Sequence, residues 1–177
     1  MRKIFYLLLL TIAGVSPASA HITLEQGEAA AGAPYKIVLR VPHGCDGSAT
    51  TKIDVKLPEG IIAAKPMPKA GWQLEIKNGA FARGYAFYHG VTLKEGAREI
   101  SWSGGKLPDE YYDEFVIAAF VARELAPGPL YFFVKQTCEK GEADWSETPG
   151  ADRDAHALKF PAPVLNVIEN HHHEHKH

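Results

Sequence analysis

Thr51-Lys52-Ile53-Asp54-Val55-Lys56-Leu57 alternates between aliphatic or β-branched residues and charged ones without an error. A period of two puts Thr51, Ile53, Val55 and Leu57 on one face of a strand and the charges on the other. Such a strand belongs to an antiparallel sheet with one dry face and one wet face. The same reading extends outward in both directions. Tyr35-Lys36-Ile37-Val38-Leu39-Arg40-Val41 places Tyr35, Ile37, Leu39 and Val41 together. Residues 72–77 alternate in the same way, and Arg98, Ile100 and Trp102 oppose Glu99 and Ser101. Residues 115–121 and 130–134 are apolar on both faces and read as central strands, and residues 164–168 read as a last strand. Proline and glycine punctuate the gaps, at Pro42/Gly44, Pro58/Gly60, Pro66/Pro68/Gly71, Gly104/Gly105/Pro108 and Pro127/Gly128/Pro129. No segment keeps a helical period over three turns. Seven or more short strands at this spacing predict an all-β fold, an immunoglobulin-like antiparallel β-sandwich.

Upstream of the strands, Arg2 and Lys3 precede an apolar run over 4–15, and Ala18-Ser19-Ala20 has the form of an A-x-A cleavage site. This is the grammar of a signal peptide over 1–20, cut after Ala20. Of 177 residues, 157 then remain, enough for one domain with a real core. The apolar run is too short for a bilayer span, which needs about 20 residues, and no later stretch reaches that length. The mature chain is therefore expected to carry no transmembrane segment and to be periplasmic. Taking Arg2 and Lys3 from the 19 basic residues leaves 17 against 21 acidic ones, a net charge of −4 with histidine neutral. That balance favours neither nucleic acid nor an anionic membrane. Cys45 and Cys138, an isolated pair in an oxidising compartment, are expected to form a disulfide. The domain is expected to run over 21–168 and to be followed by a polar tail over 169–177. His171, His172, His173, His175 and His177 make that tail a secondary, low-specificity ligand for divalent copper, nickel or zinc.

Cleavage after Ala20 makes His21 the first residue. An N-terminal histidine offers its α-amine and its imidazole Nδ1 to one metal ion in a single chelate ring, which no internal histidine can do. No G-x-S-x-G, H-E-x-x-H or glycine-rich phosphate loop accompanies it, so a catalytic apparatus is hard to find. Among the other histidines outside the tail, His43 lies in a turn beside Cys45, where a structural hydrogen bond is the first expectation. His89 follows Tyr88 on a strand-like stretch and His156 sits in a polar loop, and both read as surface. Trp145 stands in the polar stretch Glu142-Ala143-Asp144-Trp145-Ser146-Glu147, either capping the sandwich or walling a site. Asp113 and Glu114 begin an otherwise apolar strand, where at most one carboxylate faces solvent cheaply.

Several motifs occur in order. They are His21-Ile22-Thr23-Leu24, Arg40-Val41-Pro42-His43-Gly44-Cys45, Pro68-Lys69-Ala70-Gly71-Trp72, Tyr112-Asp113-Glu114-Phe115, Gln136-Thr137-Cys138 and the Trp145 stretch. Together they resemble the YcnI-like family of secreted copper-binding domains, over about residues 21–168. The resemblance implies a β-sandwich with a Cu(II) site built as a one-histidine brace: the amine and imidazole of His21, a carboxylate, and Trp145 nearby. The carboxylate carries over to Glu114 first, then Asp113, with Glu110 a third candidate. Two nitrogens and one oxygen suit Cu(II), the top of the divalent affinity series. An α-amine pKa of about 7.7–8.0 makes its deprotonation by a metal inexpensive at neutral pH. The expected function is Cu(II) binding without turnover, for copper acquisition, delivery or tolerance, with other periplasmic copper-handling proteins as partners. The alternatives are a copper-dependent oxidative enzyme of the polysaccharide monooxygenase type, which needs a second internal histidine, and a structural sandwich in which His21 is incidental.

Overall fold

The computed structural model describes residues 21–150 and 157–170. The expected signal peptide over 1–20, His156 and the tail histidines His171, His172, His173, His175 and His177 lie outside the described residues. The strands are β1 (Thr23–Leu24), β2 (Glu28–Ala30), β3 (Pro34–Val41), β4 (Thr50–Lys56), β5 (Ile61–Pro66), β6 (Gln73–Ala86), β7 (Thr92–Leu107), β8 (Asp113–Val121), β9 (Gly128–Tyr131), β10 (Phe133–Cys138), β11 (Glu142–Trp145) and β12 (Val164–Ile168). A four-stranded sheet, β1-β3-β8-β5, faces a five-stranded one, β11-β10-β4-β7-β6, and a small sheet, β2-β12-β9, completes the body. Both large sheets are antiparallel throughout.

Alternation does what the sequence promised in β3 and β4. Ile37, Leu39 and Val41 meet Ile53 and Val55 across a core that also holds Ile100, Trp102, Phe115, Ile117 and Val134, none more than 1% exposed. Each such side chain contributes about 1.5–3 kcal/mol by leaving water. The Trp102 and Phe115 rings meet edge to face at 5.3 Å, joining the two sheets. Cys45 and Cys138 form the expected disulfide, with Cα atoms 6.0 Å apart, tying the β3–β4 loop to the end of β10.

Three details differ from the sequence reading, each for a physical reason, and a fourth is borne out with an addition. Residues 130–134 are not one strand: β9 pairs with β12, β10 pairs with β4 and β11, and the chain changes sheets at the fully buried Phe132. The run looked apolar on both faces because it serves two sheets. Residues 115–121 do form a central strand, but the outward Phe120 is buried under a second small core. Phe81 and Tyr85 of β6 supply that cover, together with Ile62. Gly104 and Gly105 are not a gap. They lie inside β7, where Gly104 takes φ +78° and the Trp72 indole packs so closely that a Cβ on Gly105 would sit 2.1 Å from it. Finally, Ile76 on the edge strand β6 is exposed although its alternation is regular.

The strand directions sort the loops by end. Because β1 runs against β3 and β3 against β8, His21, the β3–β4 loop, the β7–β8 turn and the β10–β11 turn gather at one end. The β6–β7 tip and the exit of β12 beside Ala31 lie at the other. His89 occupies that tip in a single 3-10 turn with φ +56°, rather than in a strand.

Candidate metal centre

β1 and β11 are edge strands of the two large sheets, and His21 and Trp145 bring them together at one corner of the sandwich. Register sets His21 there. Thr23 pairs with Arg40, so continuing the ladder brings His21 beside Pro42. From the facing sheet comes Trp145, and the two rings meet edge to face with centroids 5.7 Å apart. Trp145 does not stand in a polar loop as its neighbours implied. The stretch Glu142–Trp145 is a strand with alternating burial, which turns Ala143 and Trp145 inward and Glu142 and Asp144 outward. Trp145 is 3% exposed, packs at 5.3 Å against Phe160, and lines a cavity of about 170 Å³ with His43, Cys45, Glu142 and Lys159.

Behind the indole lies a buried polar relay. Gln136, fully buried on β10, accepts a hydrogen bond from Trp145 Nε1 at 3.0 Å through Oε1. Its Nε2 donates to the His43 carbonyl and to Thr50 Oγ1, both at 2.8 Å. The Thr50 hydroxyl in turn lies 3.8 Å from Cys138 Sγ. The His43 ring keeps a local partner, its Nδ1 lying 2.5 Å from the Gly44 carbonyl, as a structural histidine would. The legible signal for Gln136 was its parity: an amide at an inward position after Phe132 and Val134 must find buried partners.

The two favoured carboxylates lie two strands away, on β8. Glu114 is opposite Arg40 on the outer face, in the row that begins at Thr23. Tyr112 donates to Glu114 Oε1 at 2.5 Å, and Arg40 Nε is 3.8 Å from the same oxygen. The bond to Glu114, which holds the phenolic proton, pushes the Tyr112 pKa up. Arg40 also pairs with Glu25 at 3.1 Å. Asp113 turns instead to Lys69, at 2.6 Å, and accepts from the Glu114 backbone N–H. A central strand therefore starts with two carboxylates because each has its own partners. Glu110 stands in the turn before β8 and lines a different depression with Asp46, Lys106 and Glu139.

Among the described residues, no three His, Cys, Asp or Glu side chains are grouped to hold a metal ion. A metal at this corner thus depends on the main-chain nitrogen of His21, which is an amide until the bond to Ala20 is cut. Freed in that way, the amine and the imidazole would offer a chelate on the Trp145 side. Glu114 lies two strands across and two residues along from His21, about 12 Å in the sheet, so it would reach an ion held at the amine only if the residues before β1 moved toward β8. The donor chemistry fits Cu(II).

A family model described as a domain of unknown function, DUF1775, matches residues 21–167. The chain belongs to the DUF1775 family. This is the YcnI-like domain, the resemblance carried by the sequence motifs. The DUF1775 domain is similar to the crystal structure of an uncharacterized protein from Nocardia farcinica with an immunoglobulin-like fold. The TM-score is 0.61 at 22% identity, covering 83% of this chain and 97% of that one. The expected immunoglobulin-like sandwich is therefore the fold. Two cohesin structures are also similar. One, from a type I cohesin–dockerin complex of Clostridium thermocellum, has TM-score 0.42 and 13% identity, covering 84% and 98% of the two chains. The other, a type I cohesin of Pseudobacteroides cellulosolvens, has TM-score 0.43 and 11% identity, covering 89% and 97%. No curated protein matches the chain. No helix among the described residues is long and apolar enough to cross a membrane.

Proposed function

We propose that the processed protein is an exported Cu(II)-binding protein. It holds the ion through the His21 α-amine and Nδ1 with a carboxylate from β8, beside Trp145, and serves copper acquisition, delivery or tolerance without turnover. The observation that carries this reading is the meeting of His21 and Trp145 at 5.7 Å at one corner of the sandwich. They lie 124 positions apart in sequence, so the fold, not the local chain, puts an aromatic wall beside the one residue whose amine cleavage would expose. Export supplies the oxidised copper state and the free terminus together.

The test is a Cu(II) titration of protein that begins at His21 and lacks residues 171–177. One equivalent should bind, with mixed nitrogen and oxygen ligation from one imidazole by electron paramagnetic resonance, and should quench Trp145. A single residue added before His21 should abolish tight binding, and equal affinity in the two proteins overturns the brace. One feature favours the oxidative enzyme enough to keep it in the test. His43 lines the same cavity as Trp145, so two equivalent imidazoles in the spectrum would transfer the assignment to that reading.

A further inference from the structure

We propose that Gln136 is the positioning residue of this corner, fixing the indole of Trp145 and through it the imidazole of His21. The inference rests on the copper reading for its purpose, but the geometry stands without a metal.

Gln136 sits in an inward position of β10 where its neighbours of the same parity are Val134 and Cys138, and it is fully buried. Stability alone does not call for an amide there, since replacing the whole buried hydrogen-bonded set by hydrocarbon of the same shape is nearly neutral, whereas an apolar residue at 136 alone leaves the Trp145 N–H without its partner. What an apolar residue lacks is direction. The indole N–H only donates and a backbone carbonyl only accepts, so the partners allow one orientation of the amide. Oε1 faces Trp145 and Nε2 faces the His43 carbonyl and Thr50. The bond to Gln136 satisfies the one N–H of the indole and so sets which edge of the ring His21 meets. The other end of the amide holds the β3–β4 loop directly after Pro42, the residue that the β1–β3 register places beside His21. The same loop is clamped to β10 by the disulfide. One side chain thus ties the aromatic wall to the loop that follows the strand against which the N-terminus pairs. Fully satisfied buried networks of this kind specify a single arrangement.

The experiment compares wild type, Gln136→Met, Trp145→Phe and the double variant, all beginning at His21 and lacking residues 171–177. In the metal-free proteins, the His21 ring-proton shifts report the ring current of Trp145. They should move toward peptide values in Gln136→Met and again in Trp145→Phe, with no further movement in the double variant. Thr50→Val, which removes a partner of the amide but not the indole bond, should leave them unchanged. Cu(II) affinity should fall about tenfold in Gln136→Met, the usual cost of losing an outer partner of a metal site, and not fall further when added to Trp145→Phe. Unchanged His21 shifts in a folded Gln136→Met protein overturn the proposal, as do additive losses in the double variant. If Gln136→Met fails to fold, wild type alone decides. A Trp145 Nε1–H that exchanges with solvent as fast as an exposed indole overturns it, and a protected one coupled to the Gln136 amide supports it. A wild type that binds no Cu(II) while the shift cycle holds would remove the copper reading and leave the positioning role.

Discussion

Asp113 and Glu114 are adjacent in sequence, yet what already holds each of them separates their roles. Asp113 is engaged with Lys69, whose side chain is 19% exposed and also lies over the Phe115 ring. Losing that carboxylate leaves a half-buried ammonium with only the Glu114 backbone carbonyl, at 3.2 Å, to accept from it, a cost of about 1–3 kcal/mol. Glu114 is held more loosely, by an exposed tyrosine hydroxyl and by an arginine at 3.8 Å that Glu25 holds more closely. Glu114→Gln should therefore weaken Cu(II) binding by at least the roughly tenfold that an outer partner is worth, and barely move the melting temperature. Asp113→Asn should lower the melting temperature and leave Cu(II) affinity within about twofold. Titration calorimetry and thermal unfolding of the two variants check this, and the opposite pattern would make Asp113 the ligand. The proposal of His21 as a ligand comes from the expected cleavage site, because a terminal amine is a property of sequence alone. The choice between carboxylates was not legible in that way. It depends on Lys69, 44 positions away from Asp113, and on Arg40, 74 positions from Glu114.

At the scale of elements, β3 and β4 could be read directly because each serves one sheet with one wet face. The β9–β10 run and the β6–β7 hairpin could not, since one changes sheets and the other bends, with register shifts at Lys77/Asn78 and Ala80/Tyr85. Glu59 holds that bend, accepting from Ala82 N–H and the Tyr85 hydroxyl at 2.9 Å each and pairing with Arg98 at 3.1 Å. Nothing local in Pro58-Glu59-Gly60 announces so distant a partner. β3 carries a comparable tie at its start, where the buried Tyr35 donates to the Gln26 carbonyl at 2.5 Å and so fastens the link between β1 and β2. Burial, aided by the Glu25 charge, pushes the Tyr35 pKa up to about 12 from an ordinary 10.0. Between those values the folded chain keeps a proton that the unfolded chain releases. Tyr35 therefore stabilises fully below its unfolded pKa, and its contribution is lost as pH rises through about 12. Tyr85, raised by burial and then by Glu59, adds in the same direction. The urea midpoint of wild type should fall between about pH 9 and about pH 11.5. Tyr35→Phe, lower at the start through the lost hydrogen bond, should fall less over that interval. Parallel falls in the two proteins would refute the assignment to Tyr35.

For the molecule as a whole, the decisive relation is between its two ends. His21 lies at the end where β8 begins, whereas β12 delivers Asn170 to the end where β8 stops, with Ala31 N–H on the Ile168 carbonyl and Gly32 N–H on the Val121 carbonyl. Nine residues of β8 separate those ends by about 26 Å at the usual strand rise. Seven residues, 171–177, reach about 24 Å when fully extended, and holding one ion through several imidazoles requires folding back, which shortens that reach. The composition of the tail makes it an expected metal ligand, but the place of Asn170 relative to His21 is set by topology and could not be read from the chain. If the corner takes copper as proposed and the tail as its composition leads one to expect, they act as separate sites within one molecule. Protein that begins at His21 and keeps its tail should bind Cu(II) in two classes. Deleting residues 171–177 should remove the weaker class and leave the stronger one unchanged. With both loaded, pulsed electron–electron resonance should give a broad copper–copper distribution centred beyond about 20 Å. Passage of copper from tail to corner should then quicken in proportion to protein concentration, because one molecule's tail serves another molecule's corner. A sharp copper–copper distance below about 10 Å, or transfer independent of concentration, would show the tail reaching its own His21 and overturn the separation.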